Sequence, residues 1–201
     1  TGNNNICTGD TVQLDFVLNG LPPFDLILDV TDANGLTNIL NFQLDANGLL
    51  VANGQPVTFV PNISTTYSIL SLSDITGCPG SINNPALVVT VNDYPSLNVS
   101  TVNPIICQGQ STVLDFNLTG TPNFFVNGTF GSVPTSLTLD ANGNDVNGNP
   151  ISVSPNTTTT YSFNDITGNY GCSSALSNSI TITVNPAINA GNNAFLSLCS
   201  D

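Results

Sequence analysis

Apolar residues along the chain alternate with polar ones in short runs, and Gly, Pro and Asn interrupt each run. Val12, Leu14, Phe16 and Leu18 share one side of the first long run, with Gln13 and Asp15 on the other. Leu114, Phe116 and Leu118 repeat the arrangement, as do Leu87, Val89 and Val91, and then Ile180, Ile182 and Val184, whose outward neighbours include Thr90, Thr181 and Thr183. A period of two marks strands with one buried and one wet face. In the second half the pattern predicts strands near 96–100, 112–119, 123–130, 136–140, 150–154, 159–166 and 179–185.

The chain also repeats itself. Ile6-Cys7-Thr8-Gly9 returns as Ile106-Cys107-Gln108-Gly109, and Leu14-Asp15-Phe16 as Leu114-Asp115-Phe116. Leu44-Asp45-Ala46-Asn47-Gly48 returns as Leu139-Asp140-Ala141-Asn142-Gly143, Thr65-Thr66-Tyr67-Ser68 as Thr159-Thr160-Tyr161-Ser162, and Asp74-Ile75-Thr76-Gly77 as Asp165-Ile166-Thr167-Gly168. The order is collinear, which is the signature of duplication. Seven short strands in roughly 90 residues predict an all-β fold of tandem immunoglobulin-like antiparallel β-sandwiches. The repeats span residues 1–93 and 94–186, with 187–201 starting a third. Gly191-Asn192-Asn193 leads to Cys199 as Gly2-Asn3-Asn4 leads to Cys7, so the chain is expected to be a fragment of a longer protein. Tyr67 and Tyr161 sit where such a fold places a tyrosine corner, and an ordinary core tyrosine fits equally well.

Composition narrows the function. The chain has 201 residues, no Lys, Arg or His, and 13 acidic residues that are all Asp, for a net charge of −13. Without cations it cannot neutralise phosphates, which excludes nucleic acid, and the same argument excludes anionic membrane surfaces. No apolar run approaches the ~18 residues of a spanning helix, so membrane insertion is not expected. Glu, Lys, Arg and Met, the good helix formers, are absent. Catalysis is short of parts, with no imidazole or amine base, no guanidinium clamp and no Glu, so no catalytic residue is assigned and an enzyme is not expected.

Five cysteines stand at 7, 78, 107, 172 and 199. The repeat pairs Cys7 with Cys78 and Cys107 with Cys172, each tying the first long strand to the loop before the last one and leaving Cys199 unpaired in this segment. Closing a loop of roughly 70 residues removes about 4 kcal/mol of unfolded-state entropy. Such bonds persist in an oxidising, extracellular compartment. The cysteines are too scattered for zinc.

The Cys-x-Gly starts at 7–9 and 107–109, the Pro61-Asn62 and Pro155-Asn156 steps before Thr-Thr-Tyr, and the closing Val91-Asn92 and Val184-Asn185-Pro186 resemble the immunoglobulin-like repeats of very large Bacteroidetes surface adhesins and gliding-motility-associated proteins. That resemblance implies type IX secretion and a place at the cell surface. It also implies O-glycosylation at Asp-Thr/Ser-apolar triplets, which Asp10-Thr11-Val12 matches at Thr11.

Other candidate sites have a structural explanation beside the functional one. Asp140, Asn142 and Asp145 supply oxygen ligands for calcium, but Asp-x-Asn-Gly is also what hairpin turns require, and the spacing fails the EF-hand pattern. Seven Asn-Gly steps, starting at Asn19, Asn34, Asn47, Asn53, Asn127, Asn142 and Asn147, are expected to be turns. Tyr170, in an Asn169-Tyr170-Gly171 insertion, is a candidate glycan platform or simply a loop-tip tyrosine. The expected function is a structural segment of an extracellular fibre, stalk or adhesin needing no cofactor. Its partners are adjacent repeats and neighbouring copies in a filament, and the alternative is a carbohydrate-binding adhesive module with a glycan ligand.

Overall fold

The computed structural model describes residues 4–83 and 86–188. Among these residues the regular elements are all strands, and no helix is long and apolar enough to cross a membrane. In chain order they are β1 (Asn5–Cys7), β2 (Val12–Leu14), β3 (Phe24–Asp32), β4 (Thr37–Leu44), β5 (Val57–Phe59), β6 (Thr65–Ser73), β7 (Ala86–Asn92), β8 (Ser96–Ser100), β9 (Ile105–Cys107), β10 (Thr112–Thr119), β11 (Phe124–Phe130), β12 (Val133–Leu139), β13 (Ile151–Val153), β14 (Thr159–Thr167) and β15 (Ser173–Asn185). The chain divides into two units. One takes in the residues up to Pro95 together with Gly168–Ser173, and the other Ser96–Thr167 and the residues from Ser174 on.

In the second unit one sheet has the order β13-β10-β8 and the other β12-β11-β14-β15-β9. Strand β10 lies in the first sheet and the next strand, β11, in the second. The return of β13 to the side of β10 completes the Greek-key wiring of an immunoglobulin-type sandwich. The core draws on both sheets, with Leu97, Leu114, Phe116 and Val153 from one and Phe124, Val126, Tyr161, Phe163, Ile166 and Ile182 from the other. The first unit has sheets β1-β7-β6-β3-β4 and β2-β5, around Leu14, Phe24, Leu26, Leu28, Leu44, Val57, Tyr67 and Val89.

Strand β2 is three residues long while its counterpart β10 has eight. Asp115 to Thr119 pair with β8, whereas residues 15–19 carry no strand and Val17 is 95% exposed. Tyr67 and Tyr161 are core residues, with ring centroids 4.8 Å from Phe59 and from Phe130 respectively.

The structure departs from the sequence expectations at further points. Strands β1 and β9 were not predicted, because three residues are too few for an alternation and both are held by parallel pairing to the last strand of their unit. Strand β15 begins at Ser173 rather than 179, since its first half is built largely of small polar residues that hide the period. Asn127-Gly128 lies inside β11 at a bulge, not in a turn, and Asn19-Gly20 lies in an irregular stretch; the other five Asn-Gly steps fall in turns. The Asp-Ile-Thr-Gly match is out of register, because Asp25 opposes Ser73 while the equivalent Phe125 opposes Thr167. Ser73 and Thr167 are therefore counterparts, and Asp165-Ile166-Thr167 ends a strand where Asp74-Ile75-Thr76 makes a turn.

Candidate functional site

The parallel pairing of the opening strand decides where its cysteine goes. Cys7 lies beside Asn92, at the C-terminal end of β7, and Cys107 lies beside Asn185, at the C-terminal end of β15. The loop cysteines lie at the other end. Cys78 follows β6, which runs antiparallel to β7 and ends toward the start of that strand, and Cys172 immediately precedes the start of β15. At about 3.3 Å per residue the two cysteines of a repeat are separated by roughly 20 Å along β7 and roughly 40 Å along β15. A disulfide needs Cα atoms within about 7 Å. The expected Cys7–Cys78 and Cys107–Cys172 bonds are therefore sterically excluded, and the structure corrects both.

The disulfide observed joins Cys7 to Cys172, with Cα atoms 5.6 Å apart and a sequence separation of 165. It lies within the first unit, to which Gly168–Ser173 belongs. Cys172 is buried, whereas Cys78 and Cys107 are free and exposed. Cys199, expected to be unpaired, lies outside the described residues.

The two cysteine settings are each built twice. The N–H of Cys7 donates to Asp10 Oδ2 at 2.9 Å, and that of Cys107 donates to Gln110 Oε1 at 3.0 Å. Thr8 N–H donates to the Asn92 carbonyl at 3.0 Å and Gln108 N–H to that of Asn185 at 2.9 Å. In the loops, Asp74 N–H donates to the Cys78 carbonyl and Gly168 N–H to that of Cys172, at 3.1 and 2.9 Å. Gly77 and Gly171 close these turns with positive φ. Tyr170 thus occupies the place of Thr76 in an equivalent five-residue turn, half exposed, and is not in an insertion.

Asp140, Asn142 and Asp145 form two successive turns. Asp140 Oδ1 accepts the N–H of Asn142 at 2.8 Å and of Asn144 at 2.9 Å, and Asp145 Oδ1 accepts those of Asn147 and Asn149, both at 2.8 Å. The Asn144 N–H holds the Asp140 carboxyl below the usual carboxylate range, and the Asn149 N–H does the same for Asp145. Asp45 repeats the arrangement with the N–H groups of Asn47 and Leu49, the latter being the main cause of its lowered pKa. Asp74 is lowered chiefly by the Thr76 hydroxyl. These oxygens are already engaged by their own backbone. Among the described residues no group of three or more His, Cys, Asp or Glu could hold a metal.

Two further surfaces stand out. On the first unit an open groove of ≈ 560 Å³ is lined by Phe42, Leu50 and Phe59 with the amides of Asn41, Asn53 and Gln55. On the second, a hollow of ≈ 550 Å³ is lined by Asn103, Ile105, Ile106, Gly109, Gln110 and Ser111, without Cys107. Thr11 is exposed beside β2.

No protein-family model and no curated protein matches the chain. Among solved structures it is similar to a chain from a 1.5-MDa bacterial ice-binding adhesin studied for host cell surface retention, at 17% identity and TM-score 0.41, with 96% of this chain covering 66% of that one. It is also similar to the amphioxus IgVJ-C2 molecule, at 14% identity and TM-score 0.45, covering 89% of this chain and 99% of that one. The fibronectin(III)-like modules of Clostridium thermocellum CbhA align at 8% identity and TM-score 0.36, covering 95% and 94%.

Proposed function

We infer that the chain is a structural segment of an extracellular surface fibre, stalk or adhesin built of tandem immunoglobulin-like repeats. The observation that carries this reading is the Cys7–Cys172 bond, which joins cysteines from the two halves of the duplicated sequence across 165 residues. A bond closing so long a span keeps most of the chain out of the load path when its ends are pulled. An oxidising compartment is required to keep it. In this reading the protein carries out no catalytic step and needs no cofactor. It belongs with the Bacteroidetes surface proteins exported by the type IX route, with Thr11 open to O-glycosylation.

Immunogold electron microscopy of intact source cells with antibody against the chain tests this. Label along surface filaments is expected, and label confined to the cell interior overturns the reading. The groove at Phe42 and Phe59 favours a second reading, a carbohydrate-binding adhesive module, because it combines aromatic faces with amide donors and acceptors. A glycan array probed with the chain and with Phe42→Ala tests it, and binding unaffected by that substitution would sink it.

A further inference from the structure

We propose that Cys107 and Cys78 are the two halves of a second inter-repeat disulfide: Cys107 bonds to the loop cysteine of another repeat of this kind, and Cys78 to the opening cysteine of another. The proposal extends the tandem-repeat reading but rests on bond geometry within this chain. One such bond is observed, between Cys7 and Cys172. Cys107 is the counterpart of Cys7 in strand, register and hydrogen bonding, and Cys78 is the counterpart of Cys172 in its turn. Neither can reach the other cysteine of its own repeat.

The surroundings of the free cysteines differ in exposure from those of the bonded pair. Asn92, beside Cys7, is buried, while its counterpart Asn185, beside Cys107, is exposed. Cys172 is 3% exposed, and its counterpart Cys78 is an exposed free thiol. The partner of Cys107 is then the turn of residues 74–79, from a second copy of this chain or from a following repeat. Ile75, 62% exposed, and Ile105, 61% exposed, are the apolar groups the union would cover.

The bond forms by thiol–disulfide exchange. The Cys107 thiolate attacks a small disulfide such as oxidised glutathione and releases one thiolate; the Cys78 thiolate of the partner then attacks the Cys107 sulfur of the mixed disulfide and releases the second. Two protein thiols are oxidised, one small disulfide is reduced, and the two thiol protons end on the released thiols.

The test uses the full chain with Cys199→Ser in every sample. Cys78→Ser keeps only Cys107 free, and Cys107→Ser keeps only Cys78 free. Each variant alone in a glutathione redox buffer should stay monomeric, and their mixture should double in mass, with a Cys107–Cys78 peptide on non-reducing mass spectrometry. In a chain with residues 94–186 duplicated in tandem, Cys107 should instead bond within the chain to the loop cysteine of the duplicate, which separates the two sources of the partner. Symmetric dimers of either variant alone would overturn the proposal. So would a Cys78–Cys107 bond within one monomer, or thiols that stay free while Cys7–Cys172 closes. None of these results depends on where the protein resides in the cell.

Discussion

The recurring Leu-Asp-Ala-Asn-Gly shows how few residues a turn of this protein can change. Leu44 and Leu139 are fully buried anchors, Asp45 and Asp140 bind the N–H groups that follow them, and Gly48 and Gly143 close the turn at φ 78° and 80°. A Cβ on Gly48 would stand 2.6 Å from the Phe16 carbonyl oxygen, and one on Gly143 would stand 2.5 Å from that of Phe116. Backbone conformation and lack of space therefore act together. Gly143→Ala should cost more than about 1 kcal/mol in denaturant unfolding, whereas Gly148→Ala, at the same φ with open space around it, should cost less. The aspartates predict a pH response. Their folded pKa values are depressed below an unfolded value of about 3.9, so the stabilisation is complete above that value and is lost as pH falls through the folded values. Acid also relieves the self-repulsion of a chain with 13 carboxylates and no cation, which acts in the opposite sense. Asn at positions 45, 74, 140 and 145 still accepts the turn hydrogen bonds but does not titrate. Between about pH 5 and pH 2 the thermal midpoint of the parent should therefore fall relative to that of the fourfold variant; parallel curves would show that the turns do not sense pH.

At the level of elements, the two units reach one architecture with different side chains. Leu28 opposes Ile69 in the first, and at the matching bulge Gly128 opposes Phe163 in the second. The Phe163 ring packs against Phe116 and Phe130, and a Cβ on Gly128 would collide with the Ser162 carbonyl oxygen. Phe163→Ala should cost about 3–5 kcal/mol, since Phe163 is fully buried and no neighbour can replace it. Strands of the β10 and β14 kind were legible in the sequence because half their residues face a core at period two. Strands β1 and β9 were not, because parallel pairing of three residues leaves no period to read. That omission also misdirected the cysteines. Collinear repeats suggest partners within a repeat, and only the pairing of β1 with β7 shows that Cys7 is carried to the far end of its sheet. The short β2 has a similar lesson. Its counterpart β10 is extended by β8, which has no equivalent within residues 4–83. Grafting Ser-Leu-Asn-Val-Ser ahead of Thr1, at the spacing that separates β8 from β9, should order residues 15–19 as a strand. Burying the grafted leucine should then stabilise the first unit by about 1.5–3 kcal/mol. Slowed amide exchange at residues 15–19 checks this, and unchanged exchange would show that the edge is held open by something other than a missing neighbour.

For the whole molecule, the question is what a bond spanning 165 residues does that a shorter one would not. Stability does not distinguish them. Loop-closure entropy grows only with the logarithm of length, about 5 kcal/mol for this span against about 4 kcal/mol for a loop of roughly 70 residues. Extension under load does distinguish them. When the chain is pulled from its ends, force entering at Cys7 passes through the disulfide to Cys172, and the intervening residues leave the load path. At about 3.3–3.6 Å per stretched residue, the bond withholds roughly 550 Å of contour length. If Cys107 and Cys78 make the proposed bonds, successive links overlap and every repeat lies inside at least one closed loop. Single-molecule force spectroscopy of the Cys199→Ser chain, held by its ends, should show roughly 550 Å released after reduction, summed over the unfolding steps of both units. A total nearer about 450 Å, that of the loops 7–78 and 107–172, would mean that each repeat is stapled on itself, and no change on reduction would mean that Cys7 and Cys172 are not joined.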